Sequence, residues 1–234
     1  MKMLERFKII DLTQPLFADA PTWGGSCGFC LEVAKDYDQL FRVNRLKMDA
    51  GIGTHMDAPC HLIKGGLSIE QMQVTQFITQ VCIIDVSTKA DADYEISVDD
   101  IEMYERVYGL IPKGSVVIAS TGWSRFWTNA TAYRNQDAKG QMHFPAFSSK
   151  AAEILLEKDV AGIAIDTLSP DCLDFSFAVH KLLLGSGKYI IENIGDCSQV
   201  PAKGAYIIAL PLKIQDCSES PLRVVALIPN NEGT

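Results

Sequence analysis

The sequence predicts an α/β domain, and three observations support this fold class. Short runs rich in β-branched residues alternate along the chain with segments of helical periodicity. Several of these runs are almost wholly apolar, which is typical of strands that helices cover on both faces. With 234 residues, 47% of them hydrophobic, the chain can bury one sizeable core. Its sequence contains no linker, repeat or low-complexity block, so we expect a single domain over residues 1–234.

Seven segments have the composition of strands, because they are short and rich in apolar and β-branched residues. Residues 115–120 and 161–165 illustrate the pattern, since neither run contains a charged side chain. The seven predicted strands cover residues 7–12, 81–86, 115–120, 161–165, 188–192, 205–210 and 223–228.

Three segments have helical patterns with recognisable ends. Ser97 followed by two acidic residues is typical of an N-cap, and predicts a helix that reaches residue 108. The serine pair at 148–149 can cap a second helix that ends near residue 158. A third helix is expected over residues 175–183 and ends at the glycine two residues later, because glycine is common just after a helix.

The segment 123–140 is polar and aromatic but has no clear period. Length and composition of this kind are common in functional or mobile loops. An ordered surface excursion fits them equally well. Its aromatic part, residues 126–133, looks exposed in the sequence and is a candidate for contacts between copies of the chain.

The charge and hydropathy of the chain exclude two classes of partner. A formal net charge of −8 argues against nucleic acid, since phosphate binding requires clustered Lys and Arg. No apolar stretch approaches the roughly 20 residues that span a bilayer. The first eight residues lack the continuous apolar core of a signal peptide, so we expect a cytoplasmic protein.

Seven cysteines are an odd number, and without an export signal we expect reduced thiols rather than a disulfide framework. Cys27 and Cys30 have the spacing of a redox or metal pair. The sequence offers no second such pair for zinc and no thioredoxin-like setting, so we favour a coincidence. Cys60 is interpreted as a small packed residue.

The run Gly53-Thr54-His55-Met56-Asp57-Ala58-Pro59-Cys60-His61 carries the most chemistry. It places two of the chain's four histidines and one carboxylate within seven residues. In an extended segment, alternate side chains share a face, so His55, Asp57 and His61 would point to one side. Imidazole nitrogen and carboxylate oxygen suit Zn²⁺ or Mn²⁺. Pro59 should end regular strand pairing just before His61. The alternative is a polar strand end whose histidines only form hydrogen bonds.

This run resembles the His-x-Gly-Thr-His-x-Asp-x-Pro-x-His motif of the cyclase-like metal-dependent hydrolases, the family of bacterial kynurenine formamidase and isatin hydrolase. A second anchor is His180, which is followed twelve residues later by Glu192. Further segments similar to the family are residues 10–16, 21–23, 121–123, 144–148, 162–169 and 183–187. The resemblance implies a mixed sheet, partly closed like a barrel, with helices outside. Together with the aromatic segment 126–133, it also implies a homodimer or higher oligomer.

The resemblance also implies a role for each matched residue. His55 and Asp57 would be metal ligands, and His180 would be a ligand of a second metal. Asp57 and Glu192 would bridge the two positions. His61 would donate and accept protons. The implied cofactor is one or two divalent ions, with Zn²⁺ preferred and Mn²⁺ as the alternative.

Other residues have less specific expectations. Trp23 would lie beside the substrate, because the family places a tryptophan there. His143 matches no ligand position and is left out of the site. Asp166 and Asp171 could support the ligands, although a turn around Ser169-Pro170 explains both equally well.

Gly51 stands where the family has its first histidine. The metal position served by His55 would then lose an imidazole donor, whereas the position served by His180 would keep its ligands. We therefore expect metal to be held more firmly on the His180 side. Asp49 has the same strand parity as Gly51 but lies two residues earlier, which makes it a weak substitute.

The function predicted from these residues is metal-dependent hydrolysis of a small aromatic amide, either an arylformamide or a lactam. Trp23 and the aromatic segment motivate the choice of substrate. Alternatives on the same scaffold are a cyclase, a dehydratase or a lactone hydrolase. The loss of a histidine at Gly51 also leaves open a family member that binds a small molecule without turnover.

Overall fold

The computed structural model describes residues 3–26, 28–171 and 176–230. Its strands are β1 Phe7–Asp11, β2 Cys30–Lys35, β3 Val43–Lys47, β4 His55–Asp57, β5 Ile78–Asp85, β6 Glu95–Ile96, β7 Val116–Ser120, β8 Ala146–Phe147, β9 Gly162–Ile165, β10 Tyr189–Glu192, β11 Ala205–Pro211 and β12 Glu219–Pro229. Its α-helices are α1 Val98–Tyr108, α2 Ala130–Arg134, α3 Ser149–Glu157 and α4 Ala178–Gly185.

The main sheet closes on itself. Its strand order is β1-β12-β11-β5-β7-β9-β10-β4, and β4 also pairs with β12. Seven strands therefore form a ring. Strand β1 pairs with β12 and is not itself part of the ring. Strands β5, β7, β9 and β10 run parallel to one another, and the remaining pairs are antiparallel. This is the mixed, barrel-like sheet that the family resemblance implied.

Alternate residues of the central strands enter two different cores. Ile118 and Ile191 point into the barrel, where they pack with other buried apolar side chains. Val117 and Ile163 point outward and pack beneath the helices, against residues such as Leu155. Both faces of these strands are therefore buried, which explains why their sequences lack polar alternation.

All seven predicted strands are present, with boundaries that differ by a few residues. Strand β12 begins four residues earlier than expected, at Glu219. The predicted helices are present as α1, α3 and α4. Ser97 caps α1 and Ser148 caps α3, each accepting a hydrogen bond from a backbone amide three residues on. Helix α4 begins at Ala178, and the predicted start at residue 175 lies outside the described residues.

The segment 123–140 buries most of its large aromatic side chains, although residues 135–140 are exposed, so the expectation of an exposed aromatic loop over residues 126–133 is wrong. It contains a 3₁₀ turn, Trp123–Phe126, followed by α2. Trp123, Trp127 and Tyr133 are buried in a third apolar cluster. The indole of Trp123 donates to the Tyr133 carbonyl (2.8 Å), and that of Trp127 donates to the Pro15 carbonyl (2.9 Å). Satisfied indole donors allow these large rings to be buried.

An antiparallel hairpin formed by β2 and β3 has no counterpart among the predicted strands. Every residue of its two strands is exposed. Several of them are apolar, including Leu31 and Leu46, which lie directly opposite each other. Cys30 begins this hairpin, and Cys27 lies outside the described residues. Within the described part of the chain, no helix has the length and apolar character needed to cross a membrane.

Candidate metal centre

Three elements bring four predicted ligands together. Strand β4 carries His55 and Asp57, and its antiparallel pairing with β10 sets His55 opposite Glu192. Helix α4 precedes β10 and supplies His180. All four side chains are buried. Gly53, which precedes β4, has a φ of +63°, a conformation that glycine adopts without strain.

The two carboxylates lie between the two imidazoles. On one side, His55 Nε2 lies 3.4 Å from Asp57 Oδ1 and 3.4 Å from Glu192 Oε2. On the other side, His180 Nε2 lies 3.6 Å from Asp57 Oδ2 and 3.3 Å from Glu192 Oε1. Each carboxylate thus presents one oxygen to each imidazole. This arrangement offers two adjacent positions of one nitrogen and two oxygens, with the carboxylates shared.

The outer nitrogen of each ring has a partner that orients it. His55 Nδ1 lies 2.9 Å from the Gly53 carbonyl oxygen. His180 Nδ1 lies 2.7 Å from Asp171 Oδ2. Contacts of this kind place the proton on Nδ1 and leave Nε2 free to bind a metal. Asp171 also accepts hydrogen bonds from the backbone amides of Val179 and His180.

The two aspartates whose roles were left open therefore differ. Asp171 supports His180 directly. Asp166 accepts hydrogen bonds from the backbone and hydroxyl of Thr121 and from the backbone of Ser124. These contacts join the residue after β9 to the segment after β7, so Asp166 contacts neither a proposed ligand nor the turn around Ser169-Pro170 through these bonds.

The charge balance of the cluster fits a cation. Asp57 is 1% exposed, and neither of its carboxylate oxygens has a hydrogen-bond partner among the described residues. Burial opposes protonation of His55, but Asp57 and Glu192 outweigh it and raise its pKa to about 10. Burial likewise opposes protonation of His180, yet Asp171, Asp57 and Glu192 raise its pKa to about 12. Buried carboxylates without donors are costly unless they are paired or metal-bound, and these residue types suit a divalent ion.

His61 reaches the same cavity by a different route from the predicted one. The strand ends at Asp57, and residues Pro59–His61 form a 3₁₀ turn. Pro59 therefore ends the pairing before His61, as expected. The His61 ring lies 6.0 Å from that of His180, and its Nδ1 lies 3.4 Å from Glu219 Oε2. The Glu219 carboxylate raises the pKa of His61, although partial burial opposes the shift.

Glu219 was not among the site residues predicted from the sequence, and neither was Phe177. Glu219 begins β12 and lies directly opposite Asp57 in the pairing of β12 with β4. Two groups of three residues each have ligand atoms within 4.8 Å of one another. One group is Glu219, Asp57 and His61, and the other is His55, Asp57 and Glu192. The sequence signal was a single acidic residue before a predicted strand, which by itself has no specific meaning.

The cluster opens into a cavity of about 240 Å³ with aromatic walls. Trp23, which the resemblance placed near substrate, lines it together with Phe177; their ring centres are 5.9 Å apart. Trp23 is 39% exposed and its carbonyl accepts a hydrogen bond from Arg134. His143 instead lies on the surface, where its Nδ1 is 2.6 Å from Asp93 Oδ1, in agreement with its omission from the site.

Comparisons with known proteins give matches over most of the chain. Residues 10–172 match a family model described as Putative cyclase. An isatin hydrolase from Roseibium aggregatum is 32% identical over 209 residues, which are 83% of this chain and 79% of that protein. A kynurenine formamidase from Bacillus thuringiensis subsp. konkukian is 30% identical over 221 residues, which are 92% of this chain and 95% of that protein. The solved structure of isatin hydrolase A from Ralstonia solanacearum has a TM-score of 0.90 and 31% identity, over 96% of this chain and 93% of that one.

We predict that a divalent ion stabilises the folded protein, because the unfolded chain does not assemble the four ligands. At a free metal concentration 100 times Kd, the free energy of unfolding should rise by about 2.7 kcal/mol. Thermal melting of chelator-treated protein, with and without Mn²⁺ or Zn²⁺, measures this rise. Asp57→Asn should lose most of it. Asp100→Asn is the control. It replaces a buried aspartate of α1 outside the cluster and should retain the rise. An equal rise in the parent and Asp57→Asn would contradict the prediction.

Proposed function

This chain belongs to the Putative cyclase family, and from that premise we propose that it is a metal-dependent hydrolase of a small aromatic amide, either an arylformamide or a lactam. One observation carries the proposal: two buried carboxylates lie between two oriented imidazoles at an aromatic-walled cavity. The similarity to an isatin hydrolase and to a kynurenine formamidase supports the choice of bond.

We propose that His55, Asp57, His180 and Glu192 hold one or two divalent ions. Zn²⁺ is the preferred ion and Mn²⁺ the alternative, since imidazole and carboxylate suit both. When bound, a divalent ion supplies a Lewis acid and lowers the pKa of the water that it binds. Asp171 keeps His180 Nε2 directed toward the carboxylates, and the Gly53 carbonyl does the same for His55.

His61 is proposed as the group that moves protons. Its Nδ1 is occupied by Glu219, so Nε2 is the atom that can serve the reaction. It would take a proton from the attacking water and return it to the leaving nitrogen, which yields a carboxylic acid and an amine from amide and water. Trp23 and Phe177 would hold the aromatic ring of the substrate, because both line the cavity beside the cluster.

A panel of N-formyl arylamines and aryl lactams, assayed with metal-loaded protein, tests this function. We expect turnover of at least one member. His61→Ala should lower kcat by about 10²–10⁴-fold, the usual contribution of a general acid–base group. It should leave metal content close to that of the parent, since the proposed ligands remain.

His143→Ala is the matched control. This histidine pairs with Asp93 on the surface, so its replacement should leave kcat unchanged. Binding of the panel without turnover by the metal-loaded parent would contradict the proposed hydrolase. A His61→Ala variant within about threefold of the parent would remove His61 from the mechanism.

We also propose that the chain forms a homodimer or higher oligomer through the β2–β3 hairpin. Leu31 and Leu46 form a cross-strand pair that is 54% and 56% exposed. Leu40 and Phe41, in the loop between the strands, are also exposed. Contiguous exposed apolar side chains of this kind mark interaction surfaces. A second copy of the chain is the proposed partner, since most soluble oligomers are symmetric homo-oligomers.

Light scattering at micromolar concentration should return a multiple of the 25.7 kDa chain mass. Leu31→Lys/Leu46→Lys should shift the protein to the mass of one chain, because two desolvated ammonium groups would face the partner. Met103→Lys/Val107→Lys alters an exposed apolar pair on α1 and should keep the parent mass. A monomeric parent, or an oligomer unaffected by the hairpin variant, would overturn the proposed interface.

A cytoplasmic location stays a prediction. The described residues include free thiols at Cys60, Cys82, Cys197 and Cys217, of which Cys82 and Cys197 are buried. Burial raises the pKa of both buried thiols, which makes them unreactive packing residues. Thiols of this kind are compatible with a reducing compartment.

A further inference from the structure

The space beside Gly51 is filled by another side chain. A Cβ atom at position 51 would overlap the Oε1 atom of Glu219 and would lie 3.5 Å from His55 Nε2. The backbone at Gly51 does not adopt the left-handed conformation that favours glycine. The Glu219 carboxylate therefore occupies the space where a side chain at position 51 would begin, and a larger residue there would have to displace this flexible side chain.

From this complementarity, we propose that Glu219 is a metal ligand that replaces the histidine missing at position 51. The inference rests on the metal site of the proposed function but not on its substrate. Glu219 would give the His55 position a fourth protein donor. The donor set would then be one imidazole and three carboxylates, from His55, Asp57, Glu192 and Glu219.

The sheet register supports a cation beside Glu219. Residues directly opposite on paired strands present their side chains to the same face, and like charges there destabilise the sheet. Glu219 and Asp57 are such a pair. Asp57 is almost fully buried and has no hydrogen-bond donor for either oxygen among the described residues. A divalent ion between the carboxylates would remove both the repulsion and the unpaired oxygens.

The exchange of donors has consequences for affinity and selectivity. Carboxylate oxygen is a harder donor than imidazole nitrogen and favours Mn²⁺ relative to Zn²⁺. An additional charged ligand also strengthens binding of a hard cation. The His55 position should thus hold Mn²⁺ at least as firmly as the His180 position. This order reverses the one expected from the loss of the histidine alone.

Glu219 also contacts His61, so an orienting role for the carboxylate has to be separated from a ligand role. Metal affinity separates them, because an orienting partner of His61 would alter turnover and leave both metal affinities unchanged. Glu219→Gln keeps the size of the side chain and removes its charge. Glu102→Gln, on α1, is the matched control for loss of one carboxylate outside the site.

Calorimetric titration of chelator-treated protein with Mn²⁺, and separately with Zn²⁺, is the first measurement. The parent should bind two Mn²⁺ ions. In Glu219→Gln, the affinity for one of them should fall at least about tenfold, while that for the other stays within about threefold. Glu102→Gln should match the parent. Unchanged Mn²⁺ affinities in a folded Glu219→Gln variant would overturn the inference, and so would a parent that binds no divalent ion.

A double exchange tests the complementarity directly. Gly51→His alone should bind metal no better than the parent, because the imidazole and the Glu219 carboxylate compete for one space. Glu219→Gly should lose the binding of one of the two ions. Gly51→His/Glu219→Gly should restore it and should shift the ratio of Zn²⁺ to Mn²⁺ affinity toward Zn²⁺ by at least about tenfold. A folded double variant that binds metal no more tightly than Glu219→Gly would overturn the inference. A parent that binds metal through Glu219 but hydrolyses no amide would keep it and overturn only the proposed hydrolase.

Discussion

The burial of Asp57 between two imidazoles is the constraint on which the rest of the structure depends. Its carboxylate is removed from water without a hydrogen-bond donor among the described residues, so the cluster needs positive charge close by. The same residue lies on β4, the three-residue strand that joins β10 to β12 and closes the barrel. The strand that closes the sheet therefore also carries two of the four proposed ligands.

This dependence explains which parts of the molecule the sequence could predict. Strands such as β7 and β9 are buried on both faces, and their apolar runs are visible without any tertiary information. Strand β4 has three residues, two of them polar, so its composition gives no strand signal. The closed sheet was inferred only from the family resemblance, since periodicity contains no information about which strands meet.

The site shows the same division. His55, Asp57, His180 and Glu192 could be proposed because their spacing follows a recognisable motif, and the fold brings them together. Glu219 could not be found in this way, because its proximity to Asp57 results from the register of two strands that are 162 positions apart in the chain. Segment 126–133 was misjudged for a similar reason: Trp127 and Tyr133 are buried, and Trp127 contacts the distant residue Pro15. The local sequence identifies residue types that can bind a metal or move a proton, whereas strand register determines which of those residues lie together in one site.

We propose that the cluster holds divalent ions between Asp57 and Glu192. Anomalous diffraction from crystals grown with Mn²⁺ tests it most directly, because the signal identifies the ion independently of any assay. We expect a peak on the His55 side of the two carboxylates, within bonding distance of Glu219, and a second peak on the His180 side. Two imidazoles that donate hydrogen bonds directly to Asp57 and Glu192, with no anomalous peak between them, would contradict the account.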